Sequence, residues 1–424
     1  MHKLIVLSLD ALGDTDAVHF EKMPGFRRLI EEGAYVKRMR SVFPTLTYPC
    51  HASIITGRYP KDTGIINNLL LQPSKENMDW YWYEKDIQGD TLFRAAKRRE
   101  RSTAAFLWPV SANGNIDYNI AEIIPHRPWH TQAMVSGLNS NLPLLLELDQ
   151  KYGHLRKGLQ QPNLDDFTEA CMHHVLEKHD PDLTMTHFIA VDDYKHRFGA
   201  NAPEVVEAIT SYDARIQKAL HFIEHFGRGQ TSLVVLSDHS HIDLTTGLRL
   251  NKFFLDRGLL TVNPKGIVQK YEVIMHEAGG SCYIYAKNQS PRAMTKLRDL
   301  LEEFAAQTGG IRSILTAKEA EVRGTDPDCT FLLDAKDGYY FIQDVNGEII
   351  EETDHKYAAN HGYDPDRMGY SAVFFGYGPA FRPTSLEDAR LIDIAPTLSR
   401  IMDLRLRGAA GRVMEEILRP EAMQ

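Results

Sequence analysis

Four short apolar runs along the chain are continuous rather than alternating, which is typical of parallel strands that are buried on both faces. They are LIVLSLD at 4–10, TMTHFIAVD at 184–192, SLVVLSD at 232–238 and YSAVFFGYG at 370–378. Helical patterns lie between them. One opens at Asn163 and stops before Pro181, and another follows Pro203 and ends at Gly227. This alternation predicts an α/β fold with a doubly wound, mostly parallel sheet flanked by helices.

Two stretches do not show this alternation of strands and helices. Residues from about 69 to 161 are rich in aromatic, Pro and Asn residues and are expected to form long loops over one end of the sheet. A strand (CYIYAK), a helix (PRAMTKLRDLLEEFAAQ) and a hairpin with a type I′ turn at Asn346-Gly347 are expected further on. We therefore predict one catalytic domain over 1–424, with a smaller inserted α+β subdomain at about 260–356.

Composition and charge narrow the class of protein. Of the 424 residues, 43% are hydrophobic and 25% charged, which is ordinary for a globular enzyme and argues against disorder. The formal net charge of −9 argues against a nucleic-acid polymer or an anionic membrane as partner. An anionic substrate would need concentrated local positive charge, and bound metal ions are the obvious source.

The cellular location is predicted from cysteine usage and hydropathy. No segment is long and apolar enough to span a bilayer, and the first apolar run is interrupted by Asp10, so we interpret it as a strand and not as a signal peptide. Four cysteines are scattered without any CxxC pair: Cys50, Cys171, Cys282 and Cys329. Free thiols in a reducing compartment are the simpler interpretation, which predicts a cytoplasmic protein.

Three of the apolar runs end in an aspartate, at Asp10, Asp192 and Asp238. Ligands bind at the carboxyl ends of the strands in open α/β sheets, so these carboxylates are expected to converge. His196 follows Asp192 by four residues and His239 follows Asp238 directly. Any one of these aspartates alone would be interpreted as a turn or a cap. Carboxylate oxygen and imidazole nitrogen together are ligands that zinc prefers when thiolates are absent, so the set predicts a metal site.

A second candidate element surrounds Thr47. This threonine directly precedes Tyr48-Pro49, and an apolar helical stretch then runs to Gly57. Pro in the first turn and Gly at the end predict a short helix, with Thr47 as its N-terminal cap. A helix N-terminus also stabilises negative charge, which favours an alkoxide or a bound phosphate at this position. Thr45 lies before the cap and is the weaker candidate nucleophile.

The segment FPTLTYPCHASIITGRYPKDTGI resembles the nucleophile motif of the nucleotide pyrophosphatase/phosphodiesterase (type I phosphodiesterase) family, in the alkaline phosphatase superfamily. The resemblance extends over most of the chain and includes, in order, SLDALG, DDYKHRFG, SDHSH, NHGYDPD, VFFGYGPAFRP and LIDIAPTLSRIMDL. It implies an alkaline phosphatase-like fold. It also implies hydrolysis of phosphodiester or pyrophosphate bonds in a small phosphate ester or nucleotide, through a covalent phosphothreonine.

The resemblance assigns roles to individual residues. It implies two divalent metal ions, Zn²⁺ with Mn²⁺ as the alternative. One ion would be held by Asp192, His196 and His361, and the other by Asp10, Asp238, His239 and the Thr47 oxygen. Asn68 matches the asparagine that donates a hydrogen bond to a phosphate oxygen. Gly362, directly after His361, is expected to let the backbone approach the site closely.

Several positions depart from the family pattern. Cys50 replaces an asparagine, and Ala190-Val191 replaces Glu-Pro before Asp192. His187 aligns with an aromatic residue that flanks the nucleotide base, whereas Tyr48 keeps the other aromatic face. His241 is a candidate substrate contact beside His239. These departures weaken the case for a nucleotide substrate.

Other functions remain open at this stage. A phosphomonoesterase, a phosphonate hydrolase resembling phosphonoacetate hydrolase, or a mutase would use the same superfamily site. A metal-binding interaction protein without catalysis is the alternative from another class. The aromatic run at 80–83 is expected to fix its loop to the body of the protein more readily than to line a pocket. The oligomeric state is left open.

Overall fold

An eight-stranded sheet forms the centre of the structure, a computed structural model that describes residues 2–352 and 357–420. In chain order the strands are β1 (Lys3–Leu9), β2 (Ala34–Arg40), β3 (Thr103–Phe106), β4 (Tyr118–Ile120), β5 (Leu183–Phe188), β6 (Thr231–Leu236), β7 (Ile242–Asp243), β8 (Thr246–Leu248), β9 (Leu260–Val262), β10 (Val268–Tyr271), β11 (Val273–Ala278), β12 (Ser281–Ala286), β13 (Ile311–Thr316), β14 (Phe331–Ala335), β15 (Tyr339–Phe341), β16 (Ile350–Glu352), β17 (Ala359–Asn360), β18 (Ala372–Tyr377) and β19 (Thr384–Arg390). The central sheet has the order β19-β2-β18-β6-β1-β5-β3-β4.

Helices connect these strands and cover the sheet. They are α1 (Ala17–Phe20), α2 (Pro24–Glu32), α3 (Thr47–Thr56), α4 (Pro60–Thr63), α5 (Leu92–Arg98), α6 (Gln132–Asn139), α7 (Leu142–Tyr152), α8 (Asn163–His179), α9 (Ala190–Phe198), α10 (Pro203–Phe226), α11 (Leu250–Asp256), α12 (Pro291–Thr308), α13 (Ala317–Val322) and α14 (Ile394–Ile401). Short 3₁₀ turns occur at Asp14–Asp16, Glu84–Asp86, Gly153–Leu155, Leu391–Asp393 and Glu415–Ile417. The two helices predicted from Asn163 and after Pro203 are confirmed as α8 and α10.

The mostly parallel α/β fold is confirmed. Strand β1 pairs in parallel with both β5 and β6, which places the ends of three apolar runs at one edge of the sheet. Both faces of β1 are buried, because Leu4 and Val6 pack in one apolar cluster while Ile5 and Leu7 pack in another on the opposite face. Each such side chain contributes roughly 1.5–3 kcal/mol when it leaves water, so the sheet is anchored on both sides.

The run at 370–378 was expected to form a parallel strand, and this expectation is wrong. Strand β18 is antiparallel to both of its neighbours, β2 and β6. Its residues are buried almost throughout, with Phe374 and Phe375 both fully enclosed. A continuous apolar run therefore reports burial on two faces, which an antiparallel strand inside a sheet also has, and it does not report strand direction.

The stretch from about 69 to 161 was expected to be loops, which is wrong in part. It contains α5, α6 and α7, and it supplies β3 and β4, which form one edge of the central sheet. These strands have four and three residues, too few for a periodic pattern to be recognised in the sequence.

The region after residue 260 forms separate sheets beside the central one. Strands β11, β12, β14 and β13 make a four-stranded sheet in that order, and α12 packs with it in a third apolar cluster. The expected hairpin around Asn346-Gly347 is wrong, because β8 lies between β15 and β16 and pairs with both. The proposed end of the insertion near 356 falls outside the described residues, and the domain boundaries stay a prediction.

Two further observations bear on the expected location. Within the described residues, no helix is both long enough and apolar enough to cross a membrane. All four cysteines are buried and none forms a disulfide. The cytoplasmic location itself stays a prediction.

Candidate metal centre

The candidate ligands converge at the carboxyl ends of the central strands. Asp10 follows β1 directly, and Asp238 lies two residues beyond β6. Asp192 was expected to end a strand, but β5 stops at Phe188 and Asp192 lies in the first turn of α9. His196 is four residues further along the same helix, so both side chains project from one face toward the strand ends.

One group of ligands lies deep in the protein. The Nε2 atom of His239 is 3.1 Å from Asp238 Oδ2 and 3.5 Å from Asp10 Oδ1. The hydroxyl oxygen of Thr47 lies 3.3 Å from the same Nε2 atom. One coordinating atom each from Asp10, Asp238 and His239 lie within 4.8 Å of one another, a spacing that suits a single metal ion.

A second group surrounds Asp192. Its Oδ1 atom is 3.5 Å from the Nε2 atom of His196 and 3.9 Å from the Nε2 atom of His361. The same oxygen is 2.8 Å from Nε2 of His241. The rings of His239 and His361 stack with their centroids 3.9 Å apart, so the two groups are adjacent. The six residues expected to hold two ions are therefore brought together, and His239 also lies within 4.8 Å of the candidate ligand atoms of Asp192 and His361.

Backbone carbonyls fix the orientation of two imidazoles. The Nδ1–H of His361 donates to the Thr45 carbonyl at 2.9 Å, and the Nδ1–H of His196 donates to the Ala359 carbonyl at the same distance. A carbonyl can only accept, so each ring carries a proton on Nδ1 and turns its Nε2 atom toward Asp192. This outer hydrogen bond is the usual partner of a metal-binding histidine.

The electrostatics of the deep group suit a bound cation. Burial raises the pKa of Asp10 well above its usual range, and the Asp238 and Asp192 carboxylates raise it further. Burial also raises the pKa of Asp238 to about 6. Asp10 Oδ1 and Asp238 Oδ2 are buried and make no hydrogen bond within the described part of the chain. A divalent cation would satisfy both oxygens and remove the repulsion between the carboxylates, so these residues fit a metal ion.

In the group around Asp192, the shifts in pKa favour an ionised carboxylate. Burial would raise the pKa of Asp192, but the imidazoles of His196 and His241 hold it well below its usual range. Burial lowers the pKa of His361 to about 4, so this ring is neutral at pH 7 and can coordinate a metal. An ionised carboxylate beside a neutral imidazole is a donor pair suited to Zn²⁺.

Thr47 is the first residue of α3 and faces the deep group. It was expected to cap the helix, but Leu46 occupies the cap position and no side chain makes a capping hydrogen bond there. A capping hydroxyl would point toward the backbone N–H groups of the first helical turn. The Thr47 hydroxyl instead faces His239. Helix α3 ends at Gly57 in the left-handed conformation, as expected. Asn68 lies beside this helix start, where its Oδ1 accepts from Tyr48 N at 2.9 Å and leaves its NH₂ group as a donor.

A family model described as type I phosphodiesterase/nucleotide pyrophosphatase matches residues 4–364, most of the chain. The chain belongs to this family.

Individual relatives agree with this assignment. The ectonucleotide pyrophosphatase/phosphodiesterase family member 1 of Rattus norvegicus is 25% identical over 383 residues, which cover 85% of this chain and 36% of that relative. Family member 5 of Homo sapiens is 20% identical over 424 residues, which cover 95% of this chain and 74% of that relative. This phosphodiesterase-family chain therefore spans about a third of the length of the first of these relatives.

A solved structure confirms the fold. Inactive murine ectonucleotide pyrophosphatase/phosphodiesterase 5, in complex with AMP, matches with a TM-score of 0.70 at 17% sequence identity. The match covers 99% of this chain and 100% of that one. At this identity the likeness bears on the fold alone, which is that of an alkaline phosphatase-like protein.

Two expected substrate contacts of this phosphodiesterase-family protein are enclosed by other side chains. The ring of Tyr48 is buried, and the rings of Trp80 and Trp82 meet it edge-on with centroids 5.2 and 5.8 Å away. The Nε2 atom of His187 is 3.0 Å from Asp10 Oδ2, and its side chain is 1% exposed. The structure thus places His187 behind a candidate metal ligand, and packs Trp80 and Trp82 of the aromatic run against Tyr48.

Sequence reasoning missed two residues that hold the site in place. The Nζ atom of Lys195 donates to the Ala11 carbonyl at 3.0 Å and to Asp16 at 2.6 Å, which ties α9 to the loop after β1. The Nδ1–H of His51 donates to the Thr47 carbonyl at 2.8 Å. The sequence offered one signal for Lys195, its position in the DDYKH motif between two candidate ligands. For His51 the only signal was its position one helical turn after Thr47.

Gly362 allows the chain to carry His361 into the site, and its replacement by alanine is expected to destabilise the protein strongly. Its φ is +92°, and an added Cβ would lie 1.8 Å from the Ala278 carbonyl oxygen. We expect Gly362→Ala to lower the free energy of unfolding by about 3 kcal/mol or more, measured by urea denaturation. Gly309→Ala is the matched control, because Gly309 has φ +66° but nothing within 4 Å of an added Cβ. Its cost is expected to be about 1 kcal/mol, and equal costs would contradict the steric argument.

Proposed function

We propose that the protein hydrolyses phosphodiester or pyrophosphate bonds in small phosphate esters, with Thr47 as nucleophile and two divalent cations as cofactors. The observation that carries this proposal is the position of the Thr47 hydroxyl, 3.3 Å from His239, which belongs to both of two adjoining groups of carboxylate and imidazole ligands. Family membership supports the same class of bond.

The reaction proceeds in two displacements at phosphorus. The Thr47 oxygen forms a bond to phosphorus while the bond to the leaving oxygen breaks, and the hydroxyl proton passes to solvent. A water molecule then attacks phosphorus from the opposite side, releases the phosphorylated product and returns the Thr47 hydroxyl. When bound, the two cations supply positive charge that favours the ionised hydroxyl and stabilises the leaving oxygen. Thr47 lies at the N-terminus of α3, whose electrostatic field favours a negatively charged phosphate. The Asn68 NH₂ group donates a hydrogen bond to a phosphate oxygen.

The ligand set supports Zn²⁺ as the cofactor, with Mn²⁺ as the alternative. Asp192, His196 and His361 would hold one ion, and Asp10, Asp238 and His239 the other. Imidazole nitrogen and carboxylate oxygen suit zinc, whereas manganese is more often held by oxygen alone. Metal analysis of the purified protein tests this assignment.

The charge near Thr47 supports a diester over a monoester substrate. A monoester carries two negative charges on its phosphate and a diester only one, so a monoesterase profits from a free cationic side chain. Of the four basic residues nearest to Thr47 in sequence, three pair with exposed carboxylates: Lys37 with Glu387, Arg38 with Asp388 and Arg40 with Asp366. The fourth is Arg58.

This preference is testable with two chromogenic substrates. We expect kcat/KM for bis-p-nitrophenyl phosphate to exceed that for p-nitrophenyl phosphate by at least about tenfold with Zn²⁺ or Mn²⁺ present, a difference of about 1.4 kcal/mol in activation free energy. Phosphonoacetate serves as a third substrate. The reverse preference would discard the diesterase assignment in favour of a phosphomonoesterase, and faster phosphonate cleavage in favour of a phosphonate hydrolase.

A further inference from the structure

His241 occupies a buried position inside the candidate metal centre. It lies two residues beyond His239, in the loop between β6 and β7, and its side chain is fully enclosed. Its Nε2 atom is 2.8 Å from Asp192 Oδ1, nearer than the Nε2 atoms of His196 at 3.5 Å and His361 at 3.9 Å. The sequence suggested a substrate contact, whereas this placement turns the imidazole toward a candidate ligand.

His241 lies among the candidate ligands around Asp192. Its ring centroid is 4.5 Å from that of His196 and 5.0 Å from that of His361. One coordinating atom each from Asp192, His239, His241 and His361 lie within 4.8 Å of one another. Zinc binds nitrogen and oxygen at about 2 Å, so donor atoms around one ion are at most about 4 Å apart, and small side-chain adjustments suffice.

The Nδ1 atom of His241 makes no hydrogen bond within the described chain that would account for the burial of this side chain. His241 Nδ1 is buried and has no hydrogen-bond partner among residues 2–352 and 357–420. The rings of His196 and His361 are both anchored through Nδ1 to backbone carbonyls, but the polar contact of His241 is through Nε2 to Asp192. Within the described part of the chain, its one hydrogen bond is therefore directed at the same carboxylate oxygen that the Nε2 atoms of His196 and His361 approach.

We propose that His241 Nε2 is an additional protein ligand of the ion held by Asp192, His196 and His361. This inference rests on the two-cation site of the proposed function and goes beyond the ligand set that the family motifs imply. The ion would then be held by one carboxylate and three imidazoles. A nitrogen-rich set of this kind favours Zn²⁺ over Mn²⁺ more strongly than one carboxylate with two imidazoles would.

The test is metal binding by the full chain, read without any assay of activity. Metal-free protein is titrated with Co²⁺ while the visible absorption is recorded, and the affinity for Zn²⁺ is measured by calorimetry with a competing chelator. Two variants are compared with the unmodified protein, His241→Ala and His241→Gln. Glutamine retains a donor for Asp192 but replaces the imidazole. His276→Ala is the control, because His276 is a buried imidazole that bonds the Leu69 carbonyl and is not in either ligand group.

We expect both His241 variants to alter the Co²⁺ spectrum of one site and to weaken one Zn²⁺ site by more than about 100-fold, since even loss of an outer hydrogen-bond partner costs about 10–100-fold. The His276→Ala spectrum should match that of the unmodified protein. An unchanged Co²⁺ spectrum in either folded His241 variant would overturn the ligand assignment and leave His241 as a residue that only orients Asp192. Failure of the unmodified protein to bind two ions would instead overturn the proposed function, so the two failures are distinguishable.

Discussion

Replacing Thr47 with alanine is expected to abolish turnover while both metal ions remain bound. The Thr47 hydroxyl, 3.3 Å from Nε2 of His239, is the proposed nucleophile, and its loss leaves direct attack by water. Loss of a nucleophile of this kind lowers kcat by roughly 10⁴-fold or more. The measurements are kcat/KM with bis-p-nitrophenyl phosphate and the metal content of the same preparation. Because Thr47 makes no capping hydrogen bond, the free energy of unfolding should change little.

Two variants control this experiment. Thr47→Ser keeps a hydroxyl at the same position and should retain most of the activity. Thr45→Ala tests the neighbouring threonine, whose hydroxyl oxygen lies 3.0 Å from the Tyr363 carbonyl and 2.8 Å from the Tyr370 hydroxyl. That variant is expected to lose stability and to retain turnover in the folded fraction. Thr47→Ala with a rate within tenfold of the unmodified protein would mean that another group attacks phosphorus.

The sequence predicted the parts of the site that depend on side-chain chemistry. Asp10 and Asp238 follow apolar runs, and parallel strands place their ends at one edge, so their proximity follows from the strand pattern alone. The position of His196 beside Asp192 follows from their spacing in the sequence, because residues four apart in a helix lie on the same face. The prediction of His361 as a metal ligand depends only on the family motif, since Asn-His-Gly by itself is typical of a turn.

Other features depend on long-range packing, which no local pattern reports. The direction of β18 is set by the neighbours it pairs with, and the separation of β15 from β16 by β8 depends on a strand about 90 residues away. The burial of Tyr48 under Trp80 and Trp82 is likewise decided by how a loop folds back. Sequence identifies the residue types that can bind a ligand, but it does not show which faces remain open to the ligand.

Removal of the metal ions is the second change with a large expected effect. Chelation followed by dialysis should abolish hydrolysis and lower the thermal midpoint, and Zn²⁺ should restore both. Without an ion, Asp10 and Asp238 are buried beside the same Nε2 atom of His239, and the charge of Asp238 disfavours ionisation of Asp10. Zn²⁺ at 100 times its Kd would add about 2.7 kcal/mol to the stability of the folded state. Activity that persists after metal analysis shows the ions to be gone would contradict the proposed mechanism.

The origin of this stabilisation can be separated from a general effect of zinc with two matched variants. Asp238→Asn removes the charge of Asp238 and one metal ligand, so the metal-free variant should be at least as stable as the metal-free unmodified protein and should gain less on addition of Zn²⁺. Asp213 is also a buried carboxylate, but its Oδ1 accepts from Phe26 N at 2.9 Å and it belongs to neither ligand group. Asp213→Asn should therefore keep the full zinc-dependent rise in the thermal midpoint. If both variants lose that rise equally, zinc acts on the fold as a whole and not through the carboxylates at the strand ends.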